Sequence, residues 1–246
     1  MIQNKYNIQN KIGCGSFSNV FIAKNIYKNN LVVIKFDNDK NSKKLLRNEI
    51  DIYIDLLKRS KKDFISIKSF GSINEHSFIV MEYIPQTIQE YVRINSVTLS
   101  PNKIFEDLAE TVKHLHKYGY VHRDLKPDNI LVKNNKIILI DMGMASRRSS
   151  KLLTGFIGSP AFSSYNTHLK MYKYKNSDDI ISCIYITLYL FSEGLLPWTM
   201  PHLDSLNEQM SHSDIYFKKT KTDFHLFYKS FDSLSDIISI YLKTFE

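Results

Sequence analysis

The stretch that most restricts what this chain can become is Val121-His122-Arg123-Asp124-Leu125-Lys126-Pro127-Asp128-Asn129, with Asp141-Met142-Gly143 beginning twelve residues beyond it. Between them lie two short β-rich runs, Ile130 to Lys133 and Lys136 to Ile140, on either side of Asn134-Asn135. Asn tolerates the positive φ that a tight hairpin turn demands. The spacing therefore predicts a hairpin that returns Asp124, Asn129 and Asp141 to one end. Three oxygen-bearing side chains and one lysine, Lys126, would then converge on a small site. Hard oxygen ligands, few in number and completed by phosphates and water, suit Mg²⁺ rather than zinc.

A chain of 246 residues can bury a sizeable core, either as one large domain or as two lobes sharing a cleft. Lys and Arg outnumber Asp and Glu by 33 to 25, giving a net charge of +8. Such a balance favours acidic partners, whether nucleic acid, phosphorylated protein or membrane surface, without choosing among them. No basic motif interleaved with aromatics accompanies it, which disfavours nucleic acid as the main partner. Cys14 and Cys183 make neither a disulfide framework nor a metal-ligand set. Met1 to Asn10 is polar and gives no secretory leader. The apolar run Ile180 to Phe191 is too short to span a bilayer and reads as a buried helix. A reduced intracellular compartment, cytoplasmic or nuclear, is the expectation.

Residues 11–36 read as strand, glycine turn, strand, loop, strand. The turn is Ile12-Gly13-Cys14-Gly15-Ser16-Phe17-Ser18-Asn19-Val20, whose glycines let backbone amides approach phosphate oxygens. Leu31-Val32-Val33-Ile34-Lys35 is a β-branched run ending in lysine. Residues 42–57 have helical periodicity, with Leu46, Ile50, Ile54 and Leu57 on one face and Glu49 in a second, largely apolar row. A buried carboxylate there needs a partner, and Lys35 is the candidate. Phe64 to Phe70 and Ser77 to Glu82 read as two further strands. Ser100-Pro101 opens a helix that Gly119 ends. His114 and His116 on that helix, with no ligand-spaced carboxylate or cysteine beside them, read as structural or surface residues. Phe224, Phe227, Phe231, Leu234, Ile238 and Tyr241 suggest one or two amphipathic helices in the core.

Together, H-R-D-L-K-P-D-N and D-M-G are similar to the catalytic loop and metal-binding motif of eukaryotic protein kinases. Within that group, Ser164-Tyr165-Asn166-Thr167-His168-Leu169 resembles the S-I-N-T-H-L of the casein kinase 1 family. Glu49 to Tyr53, Asp178-Asp179 and Leu196-Pro197-Trp198 resemble that family's E-S-K-I-Y, D-D and L-P-W. The resemblance covers about residues 6–198, and the stretch after Trp198 is shorter than in family members. It implies an α+β, bilobal fold, with a small antiparallel-sheet lobe over 1–84 and a mostly helical lobe over 85–246.

The resemblance also implies roles. ATP would lie against Ile12, Gly13, Gly15, Val20, Val33, Met81, Glu82, Ile84 and Leu131, with Lys35 on its α- and β-phosphates and Glu49 pairing with Lys35. Asp124 would orient the substrate hydroxyl, Lys126 and Ser159 would assist, and Asn129 and Asp141 would hold Mg²⁺. Lys126, two residues after Asp124, resembles Ser/Thr rather than Tyr kinases. Asp179 would accept hydrogen bonds from the catalytic-loop backbone. Arg147, Arg148, Lys151, Lys170, Lys173 and Lys175 would favour acidic or phosphorylated protein substrates. Ser149, Ser150 and Thr154 could carry phosphate, although the family does not generally require it. Met142 for Phe and Ser18 for Gly depart from the kinase pattern without removing a catalytic group. An ATP-binding scaffold with little turnover is the alternative expectation, and oligomeric state is left open.

Overall fold

The computed structural model describes residues 2–14, 17–60, 63–148, 152–199 and 211–245. The expected roles of Gly15, Ser149, Ser150 and Lys151 fall outside them. The chain divides into two compact units, the first Met1–Pro85 with Ile138–Ala145, the second Gln86–Ile137 with Ser146–Glu246.

In the first unit, β1 (Tyr6–Cys14), β2 (Ser18–Asn25) and β3 (Leu31–Asp37) lead to helix α1 (Lys40–Arg59), followed by β4 (Ile67–Ile73) and β5 (His76–Glu82). The strands form one antiparallel sheet in the order β1-β2-β3-β5-β4. Side chains alternate between faces along a strand, and Val32, Ile34, Phe78 and Val80 share the face that packs with Ile2, Tyr6 and Ala23. Helix α1 starts at Asp39, whose carboxylate accepts the amides of Asn41 and Ser42 at 2.8 Å each. It ends with Lys58 and Arg59, where positive charge complements the helix dipole. Its buried residues Leu46, Glu49, Ile50, Ile52, Tyr53 and Leu56 recur at helical spacing, but they centre on the row of Glu49, and Ile54 and Leu57 of the expected face are only half-buried.

The second unit opens with β6 (Gln86–Thr87) and α2 (Ile88–Ile94). Thr87 and Glu90 cap α2 reciprocally, in keeping with the T-x-x-E signal of the sequence. Helix α3 (Pro101–Lys117) begins at Ser100 and gives way to Gly119 at φ 85°, as expected. Next come β7 (Tyr120–Val121), β8 (Ile130–Lys133) and β9 (Lys136–Leu139), which runs on into the first unit. Asn134 and Asn135 join β8 to β9 with φ of 51° and 58°, the geometry for which Asn is suited. Strand β10 (Ser146–Arg147) pairs with β7.

Helix α4 (Asn176–Phe191) is the axis of this unit, with Ile181 to Leu188 buried without interruption. Around it pack α5 (His212–Lys221), α6 (Phe224–Phe227) and α7 (Ser235–Leu242), contributing Ile215, Phe224, Ile238 and Tyr241 to a core with Trp198, Tyr185 and Tyr228. The aromatic periodicity after residue 223 thus resolves into two short helices. The polar run Lys229-Ser230 and Asp232-Ser233 interrupts them. No helix among the described residues is long and apolar enough to cross a membrane.

The core makes a direct prediction. Leu188 is fully buried and makes no side-chain hydrogen bond, whereas Leu226 is 64% exposed. Leu188→Ala should cost about 2–5 kcal/mol in chemical denaturation, and Leu226→Ala less than about 0.5 kcal/mol.

Candidate active site

Strand register assembles the candidate residues of the first unit. Val20 pairs with Lys35, Lys35 with Ile79 and Val33 with Met81. Paired residues share a face, so Val20, Val33, Lys35 and Met81 stand together, opposite the Val32 and Ile34 core face. Gly13 pairs with Val20, and a Cβ at Gly13 would lie 3.4 Å from that of Val20. A glycine therefore leaves this edge of the face clear. Ile12 is exposed on β1. Glu82 ends β5, its carboxylate accepting the Ser66 amide at 3.1 Å, and Ile84 is buried just beyond it.

On the same unit, the Lys35 ammonium is 2.8 Å from both Glu49 Oε2 and Asp141 Oδ1. Burial alone would favour a neutral amine, but the two carboxylates outweigh it and raise the Lys35 pKa above its ordinary value. Burial pushes Glu49 up to about 7 against the pull of Lys35. These shifts oppose each other across one contact. Two carboxylates at 2.8 Å from one amine decide for a charged Lys35. The Gly143 amide donates to Asp141 Oδ1 at 3.3 Å, and the segment that follows is held by the Asn48 amide, which donates to the carbonyls of Gly143 at 3.0 Å and Ala145 at 2.9 Å. Met142 is fully buried, so the apolar demand at that position is met by Met as it would be by Phe.

The second unit carries Asp124, Lys126, Asn129, Leu131 and Ser159. Asp124 Oδ1 accepts the Ser159 hydroxyl at 2.7 Å, and Lys126 Nζ lies 3.6 Å from Oδ2. Asn129 donates its amide nitrogen to the Asp124 carbonyl at 2.9 Å, which fixes the orientation of the side chain. Leu131 is half-buried on β8. Gly158 has φ 100°, and a Cβ there would meet the Arg123 carbonyl at 2.3 Å. Only glycine permits this approach, which brings Ser159 to Asp124.

The loop bearing Asp124 is anchored on Asp179, which is fully buried. One oxygen accepts the His122 amide at 2.9 Å and His116 Nε2 at 2.8 Å; the other accepts the Arg123 amide at 3.1 Å and the Tyr174 hydroxyl at 2.9 Å. Burial raises the pKa of this carboxyl, but His116 and His122 beside it hold it below its ordinary value. His116 is accordingly structural, and no cluster of three or more potential His, Cys, Asp or Glu metal ligands exists among the described residues. His116 takes the structural role that its surroundings in the sequence suggest, whereas nothing in the sequence marks the supporting places of Asn48 and Tyr174. The partners of Asn48 are distant in sequence, and no local pattern announces such contacts.

The protein kinase domain profile matches residues 6–244, nearly the whole chain. This chain belongs to the protein kinase domain family. It is also 31% identical over 216 residues to a probable serine/threonine-protein kinase of Dictyostelium discoideum, a match covering 80% of this chain. The matched region spans 43% of that relative's length. The α+β fold, with its five-stranded antiparallel sheet, agrees with the family.

In this kinase domain, the Asp179 anchor predicts a pH dependence. A carboxyl whose pKa is lower in the folded than in the unfolded state adds stability above its unfolded pKa, near 3.8, and loses it as pH falls through the folded value. Asp179→Asn should therefore lower the melting temperature at pH 7 by several degrees. The gap from wild type should narrow as pH is taken below about 4. Thermal melts from pH 7 to pH 3 check this, and a gap that stays constant would refute it.

Proposed function

We propose that the chain is a Ser/Thr protein kinase, transferring the γ-phosphate of ATP to protein hydroxyls. The observation that carries this reading is the Asp124 carboxylate, with the Ser159 hydroxyl on one oxygen and the Lys126 ammonium near the other. A carboxylate so placed can orient a second hydroxyl, that of the substrate, and accept its proton. Lys126 adds positive charge where the transferring phosphoryl gathers negative charge. Lys35, held charged by Glu49 and Asp141, is suited to the nucleotide's α- and β-phosphates. Asp141 in the first unit and Asn129 in the second supply oxygen donors of the kind Mg²⁺ takes, and the fixed orientation of the Asn129 amide fits that use. Mg²⁺, when bound, would neutralise charge on the phosphates.

The casein kinase 1-like motifs and the exposed Arg147, Arg148, Lys170, Lys173 and Lys175 support acidic or phosphorylated proteins as substrates. An intracellular location belongs to the same reading, since ATP is the donor. The Dictyostelium relative's description as a Ser/Thr kinase supports the hydroxyl class.

Radiolabelled transfer from ATP·Mg²⁺ to casein and to an acidic Ser peptide tests this. Asp124→Asn should lower turnover by about 10²-fold or more, while ATP binding persists. Equal turnover by both proteins would remove Asp124 from the chemistry. Binding of ATP by wild type with no transfer to any substrate would leave a nucleotide-binding scaffold instead.

A further inference from the structure

One charged side chain in the second unit stands outside the chemistry described above and is nonetheless completely buried. Lys219, on α5, has no exposed surface and no salt bridge to a carboxylate among the described residues. A lysine in that position must find other partners or lose its charge. Its Nζ lies 2.7 Å from the Pro160 carbonyl, 2.5 Å from the Ser163 carbonyl and 3.1 Å from His168 Nε2. Burial pushes the Lys219 amine well below its ordinary pKa; opposing this, the three N–H donors of an ammonium here meet three acceptors. The ring faces of Tyr185 and Trp198, centred 4.9 and 5.0 Å away, add cation–π attraction.

The acceptor role of His168 requires a neutral ring with its proton on Nδ1. That nitrogen lies 2.9 Å from His212 Nδ1, to which it can donate. Burial, with Lys219 and His212 beside it, pushes the His168 imidazole down to about 3, which agrees with a neutral ring. The Thr167-His168-Leu169 motif thereby acquires a physical purpose: its histidine is an acceptor for a buried cation.

All three acceptors belong to the segment that presents Ser159. The Ser159 carbonyl accepts the Phe162 amide at 3.0 Å, the Ser163 amide at 2.9 Å and the Ser163 hydroxyl at 2.9 Å. Trp198 Nε1 donates to the Ala161 carbonyl at 2.7 Å. The turn over 159–163 is therefore closed on itself and tied from below by Lys219 and Trp198. Its first side chain is the hydroxyl on Asp124.

We propose that Lys219 is a positioning residue for phosphoryl transfer. By gathering the carbonyls of Pro160 and Ser163 and the imidazole of His168 onto one ammonium, it fixes the turn from which Ser159 reaches Asp124. The inference rests on the kinase reading of Asp124 and acts entirely through Ser159.

The test is a double-mutant cycle with Lys219→Met, Ser159→Ala and the double variant, measuring kcat and KM for an acidic Ser peptide and KM for ATP. Each single variant is expected to lose about tenfold in peptide kcat/KM, with ATP KM changed less than about twofold. The double variant is expected to be no worse than the poorer single, because residues acting as one unit are non-additive. A merely structural lysine would instead multiply its loss onto that of Ser159→Ala. Such multiplication, or wild-type turnover in either single variant, overturns the proposal. Should Lys219→Met fail to fold, His168→Leu takes its place in the cycle, removing one acceptor and leaving both carbonyls. A loss of a few fold that vanishes in the Ser159→Ala background supports the clamp, and one that persists there overturns it. Asp124→Asn separates the two levels. If it retains transfer, the kinase reading fails; if it is inactive while the cycle is multiplicative, only the Lys219 inference fails.

Discussion

Burying a charged group is tolerable only where protein atoms replace the water it loses, and this constraint shapes each part of the structure concerned with function. Asp179, fully buried, is satisfied by two backbone amides, an imidazole and a phenol. The amides belong to His122 and Arg123, so satisfying the charge fixes the path of the loop that bears Asp124. Lys35 is satisfied by Glu49 and Asp141, which ties a strand, a helix and the metal-motif segment of the first unit together. Lys219 is satisfied by two carbonyls of the turn over 159–163 and by His168 a few residues beyond it. In all three cases the partners are set by the need of the buried charge rather than by local chain preference.

That distinction explains what could be read from the sequence. The hairpin turn at Asn134-Asn135, the Ser100-Pro101 helix start and the helix over 42–57 depend on neighbouring residues, and each appears where local patterning puts it, although that helix buries the row of Glu49 more fully than the expected face. Lys35 and Glu49 were legible as a pair because a carboxylate in an apolar row needs a cation and the kinase pattern names one. The Asn48 contacts to Gly143 and Ala145 were not legible. They span more than ninety residues, and an Asn on a helix gives no sign of where its amide points. Lys219 was hidden for a related reason. It sits in the basic run Lys218-Lys219-Thr220-Lys221, where composition suggests solvent-exposed charge, and only the packing of α5 on Tyr185 and Trp198 singles it out.

The two units carry different groups. The first has one sheet face on which Val20, Val33 and Met81 stand beside Lys35. The second has a carboxylate with the Ser159 hydroxyl on one oxygen and the Lys126 ammonium 3.6 Å from the other. The replacement of Phe by Met142 leaves the buried position filled, and the Asn48 amide holds the carbonyls that follow it.

The measurement that bears most directly on this account is calorimetric titration of ATP into the wild type and into Asp141→Asn, each with and without Mg²⁺. The account predicts that Mg²⁺ strengthens ATP binding to the wild type by tenfold or more, and that Asp141→Asn removes most of this gain while binding ATP alone as before. Equal ATP affinity with and without Mg²⁺ in the wild type, or a gain that survives in Asp141→Asn, would contradict it.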